Sequence, residues 1–138
     1  MNMMTSNTKV MVPCDIHKVW ETILAVENHH MWRSDVSKRE VIDEKQFIEY
    51  TKNGYATTFT VTAAEPYRKG ELELENRHVK GHCTVAFSSK GGETEIDMTA
   101  SVSAKQLFMR AVGRSVFERT YLEREQARFV TDLEKLFG

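Results

Sequence analysis

Two polar residues stand on a helical face that otherwise carries apolar side chains, and they are the first candidates for chemistry. Glu118 and Gln126 share this face with Leu122, because residues three and four apart lie on one side of a helix. Such long side chains either reach solvent from the edge of the apolar stripe, the simpler interpretation, or line a pocket. An enclosed Glu118 would have a raised pKa or pair with an arginine, and only the raised pKa is typical of a general acid or base.

Two further candidates fall on predicted strands. Asn76 follows Leu72 and Leu74 in the inward phase of its strand, so its amide can hold a ligand oxygen or, more simply, the backbone of the next turn. Cys83 shares a face with Val85. We interpret Cys83 as a small core residue in preference to a nucleophile.

The histidines do not form a metal-binding pattern. His29 and His30 are adjacent, and neighbouring helical residues point about 100° apart. A turn predicted at Gly81 separates His78 from His82, and no third ligand is evident. Phosphate-loop, dinucleotide-binding, nucleophile-elbow and zinc-protease motifs are absent from the sequence. We therefore expect no metal and no cofactor, and assign no catalytic residue.

Composition predicts one domain over residues 1–138, since this length, with 41% hydrophobic residues, is near the common domain size. A net charge of −1 provides no positive field for nucleic acid. No segment approaches the roughly 18 apolar residues of a membrane span, and we find no secretory signal. We therefore expect no nucleic-acid partner, no stable membrane insertion and, with only two cysteines, a cytoplasmic location.

Alternation with a period close to two predicts that an antiparallel sheet positions the candidates. A short strand, Lys9 to Val12, precedes two short helices, the first with Asp15 as N-cap and the second over 27–33. Six more strands are predicted over Val36–Glu44, Gln46–Lys52, Tyr55–Ala64, Lys69–Asn76, Gly81–Ser89 and Glu93–Val102. Asn53-Gly54 and Gly91-Gly92 predict tight type I′ turns between strands.

One face of this sheet is predicted to be apolar, and a helix must cover it. The proline-free segment 104–137 is the candidate, and Gly113 divides it into a short piece, Lys105–Val112, and a main helix, Arg114–Leu136. Acidic and basic residues interleave along it, which favours a solvated, ion-paired surface. These residues are Arg110, Arg114, Glu118, Arg119, Glu123, Arg124, Glu125 and Arg128.

Short motifs stand at the junctions between these elements. They are Val12-Pro13-Cys14-Asp15 leading into Val19-Trp20, Met31-Trp32, Glu65-Pro66, and Glu93-Thr94-Glu95-Ile96. With the order of elements, they resemble the START-like (SRPBCC) superfamily of Bet v 1, polyketide cyclase/dehydrase and lipid-transport proteins over nearly the whole chain. The resemblance implies an α+β helix-grip fold. In that fold a curved seven-stranded antiparallel sheet wraps around a long C-terminal helix, with two short helices between strands 1 and 2.

The resemblance also implies a cavity between the sheet and the C-terminal helix. The residues expected to bind a ligand there combine apolar, aromatic and polar side chains, with Trp32 at the mouth. They are Trp32, Phe59, Leu74, Asn76, Cys83, Val85, Met98, Glu118, Tyr121, Leu122 and Gln126.

Three functions fit these expectations. The first is binding of a small hydrophobic or amphipathic ligand, lipid or polyketide-like, held by burial of apolar area. The second is a polyketide cyclase/dehydratase-type enzyme in which Glu118, Asn76 or Tyr121 polarises the substrate. The third is a chaperone-activator-like interaction module that uses the acidic rows of the outer sheet face. The oligomeric state is open, and a homodimer is one possibility.

Overall fold

The computed structural model describes residues 4–24, 33–105 and 111–137. The elements in chain order are β1 (Met4–Val12), α1 (Ile16–Leu24), β2 (Lys38–Val41), β3 (Gln46–Tyr50), β4 (Ala56–Glu65), β5 (Lys69–Glu75), β6 (Val79–Lys90), β7 (Glu93–Ala104) and α2 (Ala111–Phe137). The strands form one seven-stranded antiparallel sheet in the order β1-β7-β6-β5-β4-β3-β2, and α2 packs against β1 and β7. This confirms the predicted helix-grip fold. Of the two predicted short helices, α1 is present, while residues 25–32 of the second lie outside the described residues.

Alternation assigns the faces of the sheet as the sequence predicts. Along β7, Ile96, Met98, Ala100 and Val102 are all buried, since every second side chain of a strand points to the same face. Cys83 and Phe87 of β6 lie opposite Ala100 and Ile96 and are buried as well. The inner face is therefore apolar across the centre of the sheet.

The first strand is longer than predicted. It begins at Met4 and pairs with β7 without a break, from Met4 opposite Val102 to Val12 opposite Thr94. The run Thr5 to Thr8 carries polar side chains that alternate between exposed and half-buried positions. Because the side chains of this run are polar, apolar alternation does not mark it as a strand. An edge strand also gains stability from backbone pairing, which does not depend on apolar side chains.

The two predicted type I′ turns have different outcomes. Gly91 and Gly92 both have positive φ, at 57° and 90°, between the paired residues Lys90 and Glu93, as that turn requires. At the first hairpin only Gly54 has positive φ. Its N–H donates to Thr51 O at 2.9 Å, which is the pattern of a three-residue loop that ends in a left-handed glycine. The type I′ prediction is therefore wrong there.

Gly81 was expected to lie in a turn but lies inside β6, opposite Leu74 and Val102. A Cβ atom at this position would overlap the backbone oxygen of Ser101 and lie 2.9 Å from Val102 Cγ1. Glycine is thus needed here for close approach of two strands. The same correction explains why β6 starts at Val79, two residues before its predicted start.

The C-terminal helix is not divided at Gly113. Helix α2 runs without interruption from Ala111 to Phe137, while residues 106–110 of the predicted short piece lie outside the described residues. One glycine costs only about 1 kcal/mol in a helix interior, and packing of the apolar face against the sheet outweighs that cost.

Two groups of buried side chains fill the space between the sheet and the helices. We call the first the packed cluster: Val12, Val19, Trp20, Ile96 and Leu133. We call the second the cavity cluster: Cys83, Met98, Ala100, Val102 and Leu122. The packed cluster is closed by α1, whose N-cap Asp15 accepts backbone N–H bonds from His17 and Lys18 at 2.9 and 3.3 Å. This confirms the predicted N-cap.

Candidate functional site: a cavity between the sheet and the C-terminal helix

A cavity of about 180 Å³ lies between the inner face of the sheet and α2. A single enclosed water molecule needs only about 10–15 Å³, so the cavity has room for a small organic molecule. All five members of the cavity cluster line it, and so do Ile23 and Phe87, which belong to the same buried group as the packed cluster.

The walls of the cavity come from most of the fold, and most of them are apolar. The sheet provides Phe47, Phe59, Val61, Gly70, Glu71, Leu72, Leu74, Val85 and Phe87 besides the cavity cluster, α1 provides Ile23, and α2 provides Tyr121, Glu125, Gln126 and Phe129. Arg33 and Glu49 complete the lining. Apolar walls with a few placed polar groups are typical of small-molecule sites.

The structure brings most of the predicted ligand-binding residues together at this cavity. Those that line it are Phe59, Leu74, Cys83, Val85, Met98, Tyr121, Leu122 and Gln126. Asn76 and Glu118 are buried but do not line it, and Trp32 lies outside the described residues. Whether the lining residues bind a ligand stays a prediction.

Asn76 holds the turn between β5 and β6. Its side-chain oxygen accepts the backbone N–H groups of His78 and Val79, both at 2.9 Å. Its amide nitrogen donates to the hydroxyl oxygens of Thr57 at 3.2 Å and Tyr121 at 3.4 Å. The simpler of the two expectations for Asn76 is therefore the observed one, and Asn76 also fixes the position of a cavity-lining phenol.

Glu118 takes neither of the two positions expected from the sequence. Its side chain is only 4% exposed, so it does not reach solvent, and its Oε2 accepts the backbone N–H of Ala104 at 2.6 Å. The carboxylate thus joins α2 to the last residue of β7. A buried amide without this acceptor would be unsatisfied, which gives Glu118 a structural role.

Gln126 joins α2 to the edge strand while lining the cavity. Its Nε2 donates to the backbone oxygen of Ser6 at 3.0 Å, and its Oε1 accepts from the Ser6 hydroxyl at 2.7 Å. The paired hydrogen bonds fix the amide, so it presents a defined polar surface to the cavity.

Arg33, Glu49 and Glu125 line the cavity, and with their ion-pair partners Asp35 and Arg128 they form a group of charges that we call the polar wall. Arg33 donates from Nε and Nη2 to the two carboxylate oxygens of Asp35 at 3.2 and 3.1 Å. Its Nη1 lies 3.7 Å from Glu49 Oε1. Burial alone would lower the pKa of Arg33, but the Glu49 and Asp35 carboxylates outweigh it and raise the pKa, so the guanidinium stays charged.

Glu125 is the member of the polar wall contributed by the middle of α2. It lines the cavity and accepts from Arg128 Nη1, 3.2 Å from Oε2. Burial raises the pKa of Glu125, and Arg128 opposes the shift without cancelling it. The predicted solvated, ion-paired surface therefore holds for the exposed Arg119, Glu123 and Arg124 and is wrong for the buried Glu118. Glu125 forms a predicted type of ion pair, with Arg128, but is partly buried.

The polar wall does not follow from the predictions above, although the sequence contains one signal for it. Glu49 follows Phe47 by two residues, both are buried in β3, and a carboxylate in the inward phase of a strand is unusual enough to mark a site. Arg33 and Asp35 lie in a connection where no period assigns a face. No sequence signal could have placed them beside α2.

A comparison with family models gives a match over residues 3–137 to the polyketide cyclase / dehydrase and lipid transport family. The chain belongs to this family. A comparison with the curated proteins finds no match. The membership of this polyketide cyclase family member rests on the family model. Its fold is shared with the solved structures that resemble it.

Solved structures share the fold of this polyketide cyclase family member at low sequence identity. A START superfamily protein from Mycobacterium smegmatis matches with a TM-score of 0.73 and 14% identity, over 98% of this chain and 99% of that chain. The Zhui aromatase/cyclase from Streptomyces sp. R1128 matches with a TM-score of 0.79 and 15% identity, over 97% and 93%. A conserved protein from Geobacillus kaustophilus gives 0.77 and 14%, over 97% and 95%.

The titratable groups that face the cavity of this family member include protonated as well as ionised forms. Burial raises the pKa of the Cys83 thiol to about 12, so Cys83 is not a thiolate nucleophile near neutral pH. Burial and the nearby Glu125 carboxylate also raise the pKa of Tyr121, which keeps its phenol protonated and able to donate a hydrogen bond.

Within the described ranges, no three His, Cys, Asp or Glu side chains are arranged to hold a metal ion. The helices in that part of the chain include none long and apolar enough to cross a membrane. At the cavity, the phenol of Tyr121 can donate a hydrogen bond and the carboxylate of Glu125 can accept one.

Proposed function

We propose that the domain binds one small hydrophobic or amphipathic molecule, lipid or polyketide-like, in the cavity between the sheet and α2. The observation that carries the proposal is the cavity of about 180 Å³, whose lining is mostly apolar, with polar residues at the polar wall, on α2 and at Glu71. Burial of apolar ligand surface would supply the affinity, at roughly 25 cal/mol per Å². The two free cysteines favour a cytoplasmic carrier.

Native mass spectrometry of freshly purified protein tests this proposal. We expect an adduct of one molecule per chain that is lost on denaturation and can be extracted and identified. Protein that carries no adduct and binds none of a panel of fatty acids, quinones, sterols and flavonoids would contradict the proposal.

A matched pair of variants tests the position of the ligand. Val85 lines the cavity, while Thr84 points to the opposite face of the same strand. We expect Val85→Phe to fill the cavity and weaken binding about tenfold or more, and Thr84→Phe to change it less than about twofold. Circular dichroism of both variants checks that the fold is retained. Equal losses would place the ligand elsewhere.

A second candidate function is catalysis of the cyclase/dehydratase type. It is favoured by the presence in one cavity of a protonated phenol, Tyr121, and a carboxylate with a raised pKa, Glu125, since such groups serve as general acid and base. Incubation of the extracted ligand, or of a reactive poly-β-ketone, with wild-type protein and with Tyr121→Phe distinguishes this function. New product that depends on Tyr121 indicates catalysis, and unchanged ligand indicates binding alone.

A further inference from the structure

The polar wall holds more negative than positive charge. Two arginines, Arg33 and Arg128, face the three carboxylates of Asp35, Glu49 and Glu125. Arg33 and Asp35 expose about 15% of their side chains and Glu49 about 7%, so these three charges interact with little screening by water, whereas Glu125 and Arg128 are about a third exposed. Of the five residues, Arg33, Glu49 and Glu125 line the cavity, so a ligand that enters it meets two carboxylates and one guanidinium.

Both arginines of this wall are occupied by protein carboxylates. Arg33 makes its paired hydrogen bonds with Asp35, and its guanidinium also lies 5.7 Å from the centre of the Phe129 ring. Arg128 Nη1 lies 3.5 Å from Asp35 Oδ2 and 3.2 Å from Glu125 Oε2. A ligand carboxylate that took the place of Asp35 at Arg33 would break a pair whose side chains are only about 15% exposed, and breaking such a pair is costly.

Acceptor and donor positions toward the cavity come from two residues on one face of α2. Tyr121 and Glu125 are one helical turn apart, where side chains are neighbours, and both line the cavity. The Tyr121 oxygen already accepts a bond from Asn76 at 3.4 Å, which orients its O–H. The carboxylate of Glu125 accepts from Arg128 and has lone pairs for a further donor.

We propose that Glu125 determines ligand specificity: the cavity admits apolar molecules whose polar end donates a hydrogen bond, a hydroxyl or an ammonium group, and it rejects carboxylates. This inference rests on the proposed binding function. A hydroxyl suits the site well, because it can donate to Glu125 and accept from Tyr121. A carboxylate offers no donor and is repelled by the wall.

Three ligands with one ring system test the proposal on wild-type protein. 2-Naphthol, 2-naphthylmethylammonium and 2-naphthoate differ in the polar end, and their dissociation constants are measured by fluorescence titration or calorimetry at neutral pH. We expect the naphthol and the ammonium compound to bind at least about tenfold more tightly than naphthoate, because the carboxylate of naphthoate is repelled by the carboxylates that line the cavity. Equal or tighter binding of naphthoate would overturn the proposal.

Glu125→Gln, with Glu123→Gln as control, assigns the effect to one residue. Glu123 is exposed on the same helix, so its substitution removes the same charge without touching the cavity. We expect Glu125→Gln to reduce the preference against naphthoate about fivefold or more and Glu123→Gln to leave it unchanged. A preference that survives in Glu125→Gln would overturn the role of Glu125. The wild-type series remains decisive if that variant does not fold.

The outcomes separate this inference from the function on which it rests. Tight binding of naphthoate overturns the charge selectivity and leaves the proposed binding function intact. Failure of all three ligands, together with protein that carries no adduct, overturns both. Binding of the ammonium compound but not of naphthol supports rejection by charge and overturns the role of the Tyr121 donor.

Discussion

The packed cluster and the cavity cluster lie on the same sheet and under the same helix, yet only one of them leaves space. The packed cluster places Val12, Ile96 and Leu133 together, each no more than 1% exposed. At the cavity, small side chains face one another: Cys83 lies opposite Ala100 in the register of β6 and β7. Protein interiors otherwise fill to close packing, so the small side chains that face each other at this pair leave room for the cavity.

The largest difference we expect between the two regions is in cysteine reactivity. Cys83 lines the cavity, whereas Cys14 packs beside the packed cluster and is partly exposed. Burial raises the pKa of Cys83 from 9.0 to about 12, which reduces its thiolate fraction about a thousandfold at pH 8. Alkylation by iodoacetamide, followed by peptide mass spectrometry, should modify Cys14 first. A denaturant should remove the difference.

The same measurement also reports on occupancy of the cavity. Bound ligand should slow the modification of Cys83 further and leave Cys14 unaffected, because only Cys83 lines the cavity. Equal protection of both cysteines would indicate a general stabilisation of the protein instead of local contact.

Stability should depend more on the packed cluster than on the cavity cluster. We expect Leu133→Ala to lower the free energy of unfolding by about 3–5 kcal/mol and Leu122→Ala by about 2–3 kcal/mol. Leu122 already faces open space, so its removal loses fewer contacts. Urea denaturation of both variants measures the difference. If Leu122→Ala were the more destabilising of the two, the cavity cluster could not be the looser region.

A smaller loss should follow when the contact between α2 and β7 is removed near the cavity. Glu118→Ala leaves the buried N–H of Ala104 without its acceptor, and we expect a loss of about 1–3 kcal/mol. Glu123→Ala, exposed on the same helix, should change the free energy of unfolding by about 0.5 kcal/mol or less. Thermal denaturation of the pair provides the comparison, and equal effects would show that Glu118 has no structural role.

The smallest effect is expected from an exposed ion pair at the end of β5. Lys105 Nζ lies 2.9 Å from Glu75 Oε2, and it lowers the pKa of Glu75 below the ordinary value of 4.5. A lowered carboxyl pKa stabilises the fold above the unfolded-state pKa, and the contribution disappears as pH falls through the folded-state pKa. Because solvent screens the pair, Glu75→Gln should cost about 0.5 kcal/mol or less at pH 7. In denaturation experiments at successively lower pH, the difference from wild type should shrink as the pH falls through the folded-state pKa of Glu75.

The sequence predicted the sheet well and the site only in part, for physical reasons. Alternation in β7 marks Met98 and Ala100 as inward because a strand has a period of two, and the family resemblance placed a cavity above them. Neither signal locates Arg33. This residue lies in a connection without periodicity, and only the folded structure brings its guanidinium close to Glu49. The half-buried position of Glu125 follows from the packing of α2. A helical pattern predicts which side of the helix faces the sheet, but not how deeply a residue at the edge of that side is buried.

Prediction failed where one backbone group decides the outcome. Glu118 is on the expected face of the helix. Its role as an acceptor depends on the backbone N–H of Ala104, and no local sequence pattern shows that β7 ends at Ala104. Gly81 was taken for a turn residue because glycine is common in turns. Only the register of β6 with β7 shows that a close backbone approach requires it there.

The pairing of β1 with β7 has a consequence for the order of folding. Met4 lies opposite Val102, so this contact closes a chain loop that contains nearly the whole sheet. The entropy cost of closing that loop must be met before β1 can complete the edge of the sheet. Local hairpins such as Lys90 to Glu93 can form in microseconds, whereas sheets with distant pairings fold in milliseconds to seconds. During synthesis the first strand must therefore wait, unpaired and with its polar Thr, Ser and Asn side chains in water, until the seventh has left the ribosome.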